Sequence, residues 1–299
     1  MFLKQPMMRK VLYALTPIYL FALYMYGINL VILSIFVFLS GILTEFIMEK
    51  AKKKKQTKVS EAVLVTCMLM VLSLPPLVSP AVAIIGTVFA VLFGKMVYGG
   101  FGRNIFNPAI VGRLFLYITF ANQMTMSFVK PGNWGIDALS AATPLALMRS
   151  GETVSFFDMF FGNRAGSFGE APTFLIIIGA VYLIITKTAS WRIITSTFLS
   201  GFLLASILYA SGVGAALDPI TSIMGGSFLF VTVFMATDPV SAPKKNTSHF
   251  IYGFIIGITA ILVRTFSLFP EGTSFAILTA NTFAALIDLM ISSKKKVKS

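Results

Sequence analysis

Apolar runs long enough to cross a bilayer recur along this chain from near its start to near its end. A transmembrane helix needs roughly 20 mostly apolar residues. Ten such runs can be read, over residues 11–26, 29–46, 59–75, 80–97, 105–121, 172–186, 193–209, 220–235, 250–268 and 274–291. In lipid every backbone N–H and C=O must be satisfied within the protein, which leaves helices or a closed barrel. Barrel strands alternate apolar and polar residues over about ten positions, whereas these runs are apolar throughout. The predicted fold class is therefore an all-α polytopic membrane protein. At 57% hydrophobic, 12% charged and a mean hydropathy of +0.86, the chain has too little charge to cover a soluble domain of this size.

The net charge of +13 does not point to nucleic acid, because Lys and Arg cluster in short segments between the runs, as membrane topology requires. With both termini in the cytoplasm, the cytoplasmic segments hold Lys4, Arg9, Lys10, the lysine-rich stretch 50–58, Lys95, Arg103, Lys187, Arg192, Lys244, Lys245 and the tail lysines. The opposite side holds only Lys130, Arg149 and Arg164, with Arg113 and Arg264 in or near runs. That asymmetry places the long polar segment 122–169, and Thr143 within it, on the extracytoplasmic face. The division is then a first half over 1–121, the loop 122–169 and a second half over 170–299. The lysine stretch also suits contact with anionic membrane lipid. The first apolar run leads directly into the second with no A-x-A-like site, so it is not read as a cleaved leader.

Several chemistries find no support. The single Cys67 lies inside a run, and the single His249 has no clustered Cys or carboxylate, so neither a disulfide framework nor a metal site is expected. "YGGFGRN" lacks the G-K-[ST] ending of a phosphate loop and reads as a tight turn. No nicotinamide-binding motif is present.

Each half contains a Gly-Gly followed by an Asx-Pro, in "GGFGRNIFNPA" and "GGSFLFVTVFMATDPVSAP". Proline removes a backbone donor, and paired helix breaks in two halves are the usual pointer to a central site in repeat-built membrane proteins. Acids inside runs are costly and are functional candidates by default, often for an ion path. Asp238 in "MATDPVSAP" and Asp288 in "ALIDLM" qualify. The competing readings are that Asp238 caps the break at Pro239 and that Asp288 rests at the interface near the tail lysines. Asn104 and Asn107, three apart in "NIFNP", can face one side of a helix turn. Their amides suit a buried heterocycle edge or, equally, the groups freed by Pro108.

"DALSAATPLALM", residues 137–148, is the polar exception in the loop. Thr143 followed by Pro144 is a good helix start, with a hydroxyl acceptor and then proline at the first helical position. A helix start also offers free N–H groups to an anion, with Arg149 or Lys130 in reach. Ser140, Ala141 and Ala142 are small enough to let a modifying enzyme or cofactor approach the backbone.

Asp137, Ser140, Ala142 and Thr143 match D-x-x-[ST]-x-A-T, which resembles the covalent flavinylation motif of membrane redox complexes. Together with "GKMVYGGFGRNIFNPAIVG", "FMATDPVSAP" and "PEGTSFAILTANTFAALID", it makes the chain similar to the NqrB/RnfD family over nearly its whole length, and by length closest to RnfD. The resemblance implies ten transmembrane helices in two inverted five-helix repeats, similar to urea transporters, in a prokaryotic inner membrane. It also implies flavin mononucleotide (FMN) joined by its phosphate to Thr143, installed from FAD by an extracytoplasmic flavin transferase. A noncovalent riboflavin near Asn104 and Asn107 is implied as well. The implied function is an electron-transfer flavoprotein subunit of an Rnf-type ferredoxin:NAD+ oxidoreductase that moves Na+ or H+, working with the other Rnf subunits (A, B, C, E and G) and not catalytically complete alone. The alternatives are an NqrB-like subunit of a Na+-pumping NADH:quinone oxidoreductase, and a non-redox solute or ion channel of urea-transporter-like fold. Ala141 stands where the family commonly has glycine, and Ala171-Pro172 where Thr and a small residue are usual.

Overall fold

The computed structural model describes residues 2–52, 58–132, 140–267 and 272–296. The first half contains α1 (Pro6–Tyr26), α2 (Ile28–Ala51), α3 (Ala62–Ser73), α4 (Pro80–Val91) and α5 (Pro108–Thr119). Short helices α6 (Ala121–Met126), α7 (Pro144–Arg149) and α8 (Phe156–Phe161) occupy the connecting segment. The second half contains α9 (Thr173–Ile185), α10 (Trp191–Ala210), α11 (Pro219–Met224), α12 (Phe228–Phe234), α13 (Asn246–Phe266) and α14 (Gly272–Lys296). Four helices are long and apolar enough to span a membrane, and shorter apolar helices lie among them. The chain is an all-α, multi-pass membrane protein. The only strands among the described residues, β1 (Phe2–Leu3) and β2 (Val59–Ser60), pair in parallel and tie the chain start to the entry of α3.

Local chemistry explains where helices stop. The third apolar run ends at Ser73 because "LPPLVSP" follows, and Leu74 is already extended at φ −87°, ψ 148°. Proline disfavours helical geometry in the residue before it and lacks a donor itself. The run predicted over 220–235 is broken into α11 and α12 at Gly225-Gly226-Ser227. Gly226 has φ 57°, and a Cβ there would lie 2.9 Å from Leu145 and 3.2 Å from Arg264. Only glycine fits both the backbone and the space.

Packing recurs between the halves. α2 packs on α3 and α4, α4 on α5, and α3 on α1 and α5; α10 packs on α11, α12 and α13, α13 on α14, and α12 on α9 and α14. The halves meet where α1 packs on α9 and α5 on α14. In this correspondence the partner of "TDPVSAP", between α12 and α13, is "LPPLVSP", between α3 and α4; both contain P-x-x-x-P. Asn107-Pro108 stands elsewhere, at the start of α5, so the two Asx-Pro pairs are not equivalent positions.

A π-helical turn, Leu92–Met96, continues α4 and carries Lys95 inward. Its ammonium donates to Glu45 Oε2 on α2 at 2.6 Å and to Ser60 Oγ at 2.6 Å, while Glu45 Oε1 accepts from the Ser60 N–H at 2.9 Å. Lys95 and Glu45 are almost wholly buried. Breaking a buried pair strands a charge, so Lys95→Met is expected to cost roughly 3–5 kcal/mol, read as a lower Tm in detergent, with Glu45→Gln in the same chain recovering most of it. Parental stability in the Lys95→Met single variant would show that Glu45 is not carried as a buried anion.

Candidate functional site

Thr143 is extended at φ −72°, ψ 157°, and its Oγ1 accepts from the Ala146 N–H at 3.4 Å, with Pro144 opening α7. The helix start read from the sequence is present. With six residues, however, α7 brings a weak dipole, so the cap orients Thr143 more than it attracts an anion. Upstream, Ala141 N–H donates to Phe128 C=O at 2.8 Å and Ser140 bridges to Val129, pinning the segment. Ser140 and Ala142 are exposed. Asp137 lies outside the described residues.

Thr143 and Pro144 border a cavity of about 380 Å³. Tyr117 and Phe128 contribute aromatic walls, and Arg164 and Glu170 line its deeper side. Buried charges on its wall are anchored to neighbouring elements. Arg164 donates to Met224 C=O and Glu170 C=O, each at 2.7 Å, and so ties the loop to α11. Burial lowers its guanidinium to about 10, which leaves it cationic at neutral pH. The Glu170 carboxylate pairs with Arg113 of α5, which is fully buried and lies 5.7 Å from the Tyr117 ring centroid. Arg264 on α13 donates to Ser222 C=O at 2.8 Å and Gly225 C=O at 3.1 Å, satisfying the break between α11 and α12. Arg149 in turn donates to Arg264 C=O at 2.5 Å.

The Asn residues lie elsewhere, at the N-terminal end of α5. Residues 104–107 are not helical, so Asn104 and Asn107 do not share a helix turn; the proline at 108 disfavours helix before it. Asn107 caps α5, its Oδ1 accepting from Ala109 N–H at 3.0 Å and Ile110 N–H at 3.4 Å. Its Nδ2 donates to Met235 C=O at 3.2 Å, and its N–H donates to Asn281 Oδ1 at 3.3 Å. Asn281 Nδ2 donates to Tyr252 Oη at 2.6 Å and to Ser241 C=O at 3.3 Å. Asn104 Nδ2 donates to Phe106 C=O at 3.0 Å.

Asp238 adjoins this cluster. Its oxygens accept from Val240 N–H at 3.2 Å and Ser241 Oγ at 2.9 Å, and it borders two cavities of about 40 Å³ each. Asn107 lines both, and Asn104 and Lys95 line one of them. Asp288 is not in this group. It accepts from Lys244 N–H at 2.7 Å, Lys245 N–H at 3.3 Å and Ser248 Oγ at 2.5 Å, capping α13 from α14.

Similarity to known proteins agrees with the motifs. A family model described as the NQR2, RnfD, RnfE family matches residues 4–296. The chain belongs to this family. Among curated relatives, the NqrB protein of the Na(+)-translocating NADH-quinone reductase of Pseudomonas aeruginosa strain LESB58 is 38% identical over 249 residues, covering 78% of this chain and 60% of the relative. The same component is 38% identical over 245 residues in Chromohalobacter salexigens (79% and 59%) and 35% over 250 in Pseudoalteromonas atlantica (80% and 61%). The chain thus spans about 60% of the length of these relatives.

Within this family member, the sequence motifs pick out Thr143 and the Asx residues but pass over Arg113, Arg164, Arg264 and Tyr117. A signal for Arg113 and Arg264 exists, since a charge within an apolar run demands a partner. Asn107 tests how much the inner cluster depends on one amide. Asn107→Ala is expected to cost about 1–2 kcal/mol through the lost cap, and Asn107→Asp, which keeps the cap acceptor, less. Thermal unfolding in detergent reads both; equal losses would mean that the Met235 contact, not the cap, dominates.

Proposed function

We propose that this chain is an electron-transfer flavoprotein subunit of a membrane ion-translocating oxidoreductase, carrying FMN on Thr143. The carrying observation is that D-x-x-S-x-A-T ends on a capped threonine bordering a cavity with aromatic walls. At about 380 Å³ that cavity falls in the range of small-molecule sites, roughly 300–1,000 Å³. The residues fit the group. When bound, FMN supplies a carrier of one or two electrons. Tyr117 and Phe128 would hold it against an apolar wall, and Arg164 would present a fixed positive charge. In the modification the Thr143 oxygen attacks the flavin phosphate of FAD: the O–P bond forms, the phosphoanhydride breaks, AMP leaves and the hydroxyl proton passes to solvent. Asp137, Ser140 and Ala142 serve as the marks read by the flavin transferase.

The proposed topology is two inverted five-helix repeats, urea-transporter-like, over 1–121 and 170–299, with 122–169 as the flavin-bearing loop. The matched helix neighbours of the two halves support it. Both termini are cytoplasmic in an inner membrane and Thr143 is outside, which the distribution of Lys and Arg supports. The complex we favour is Rnf-type, passing electrons between ferredoxin and NAD+, with the other Rnf subunits as partners. The names of the curated relatives favour a second reading, an NqrB-like component of a Na+-pumping NADH:quinone oxidoreductase. A channel without redox chemistry would leave the Thr143 motif without purpose.

Asp238 is the first candidate for Na+ or H+ coupling, because it borders two cavities the size of a water molecule or small ion. Asp288, with three donors around it at the start of α13, is the second. A noncovalent riboflavin near Asn104 and Asn107 is the second flavin of this reading; the two amides border a cavity of about 40 Å³ and donate to Phe106 C=O and Met235 C=O.

Two measurements test the reading. The full chain, co-expressed with the transferase, is expected to fluoresce as a denatured gel band, and Thr143→Ala to be dark; a dark parental band removes covalent flavin. In the assembled complex, Asp238→Asn is expected to weaken the dependence of electron transfer on the coupling ion. Unchanged coupling would take Asp238 out of the ion path.

A further inference from the structure

A cationic cavity lies at the turn between α9 and α10; it shares Thr188, Ala189, Thr237 and Pro239 with one of the two cavities beside Asp238. The α9 C-terminus closes with Lys187 N–H on Ile184 C=O at 3.0 Å and Thr188 N–H on Leu183 C=O at 2.9 Å. That pattern puts Lys187 in the left-handed conformation, φ 55°, at a position where glycine is usual. It is the only non-glycine residue with positive φ among those described. Strain held in this way points to a use for the side chain.

Lys187 lines a cavity of about 550 Å³ with Arg192 and Lys244. Among the described residues no carboxylate lines it. Asp238 lies between two lining residues, Thr237 and Pro239, and is engaged with Val240 N–H and Ser241 Oγ; Asp288 is engaged with Lys244 N–H, Lys245 N–H and Ser248. Two long helices, α10 and α13, begin at its wall, and the α10 start has no side-chain cap. The reason is visible: the Ser190 hydroxyl is held by His249 Nδ1 at 2.8 Å, and His249 Nε2 bonds Pro243 C=O at 2.9 Å. The cavity therefore combines three cations with one uncapped positive helix end, that of α10, the α13 start being capped by Asp288. Trp191 stands half-exposed at its edge, with the Arg192 guanidinium 5.0 Å from its ring, an arrangement suited to a headgroup layer.

Within one helical turn of this cavity, an apolar groove of about 510 Å³ is lined by α9 and α10. Ala180 and Val181 of α9 face Ile194 and Phe198 of α10 across it, with Leu229 and Val233 of α12 as its floor. Cationic head space and a lipid-sized apolar channel thus follow one another on a single hairpin. Lysines in membrane loops usually need no more than a topological explanation. Here a concave cationic site, a strained lysine and a contiguous apolar groove converge, and that combination matches an amphipathic anion.

We propose that the α9–α10 hairpin binds an anionic phospholipid, its phosphate held by Lys187, Arg192 and Lys244 and an acyl chain lying in the groove. The test uses the full chain, delipidated in detergent, with thermal unfolding read against phosphatidylglycerol, phosphatidylcholine or inorganic phosphate. Phosphatidylglycerol is expected to raise Tm in a saturable way, phosphatidylcholine to raise it much less, and phosphate not at all. Lys187→Gly separates strain from charge: it should raise Tm without lipid yet weaken phosphatidylglycerol binding about fivefold. Adding Arg192→Gln should bring the loss to roughly thirtyfold. Val181→Trp, at an exposed groove position, should weaken binding with the cations intact. Equal responses to both lipids, an equal response to inorganic phosphate, or full binding by Val181→Trp would each overturn the proposal.

Discussion

Charge taken into an apolar interior has to be answered by another part of the chain, and in this protein the answers hold the fold in register. Lys95 is answered by Glu45 and Ser60, which locks α4 to α2 and to the entry of α3. Arg113 is answered by Glu170, 57 residues away, which fastens the connecting loop to α5. Arg164 and Arg264 are answered by carbonyls that proline and glycine breaks leave without helical partners. An unpartnered buried charge costs several kcal/mol, so each of these links excludes most other arrangements of the same helices.

The same links build the site. Arg164 reaches both α11 and the Glu170 backbone, and Arg113 draws the Glu170 side chain against Tyr117. The cavity beside Thr143 is what remains between those anchors and the pinned segment at Phe128. At the other end of α5, backbone freed by helix breaks is taken up by Asn107 and Asn281, and Asp238 stands next to them. One short helix therefore connects the loop that carries the flavin motif to the acid proposed for ion coupling.

Much of this was legible in residues whose chemistry is local. Apolar runs marked the helices and Thr143-Pro144 marked a cap, because each depends on neighbours within a turn or two. The division of residues 220–235 was not legible by hydropathy, since Gly225 and Gly226 do not interrupt an apolar window yet do redirect the backbone. Asn104 and Asn107 share a helical spacing, but Pro108 keeps the backbone before it out of the helix. The partners of Arg113, Arg264 and Asp288 lie 39 to 57 residues away along the chain, beyond any periodic signal. Intramembrane arginines announced that partners must exist without saying which.

The account stands or falls on what Thr143 carries. Mass spectrometry of the proteolytic peptide containing residues 140–149, from protein purified with its transferase, reads this without reference to activity. The predicted result is a mass increase of one FMN less one water, localised by fragmentation to Thr143. An unmodified peptide, or an adduct on Ser140 instead, would contradict the placement of the flavin at the mouth of the cavity.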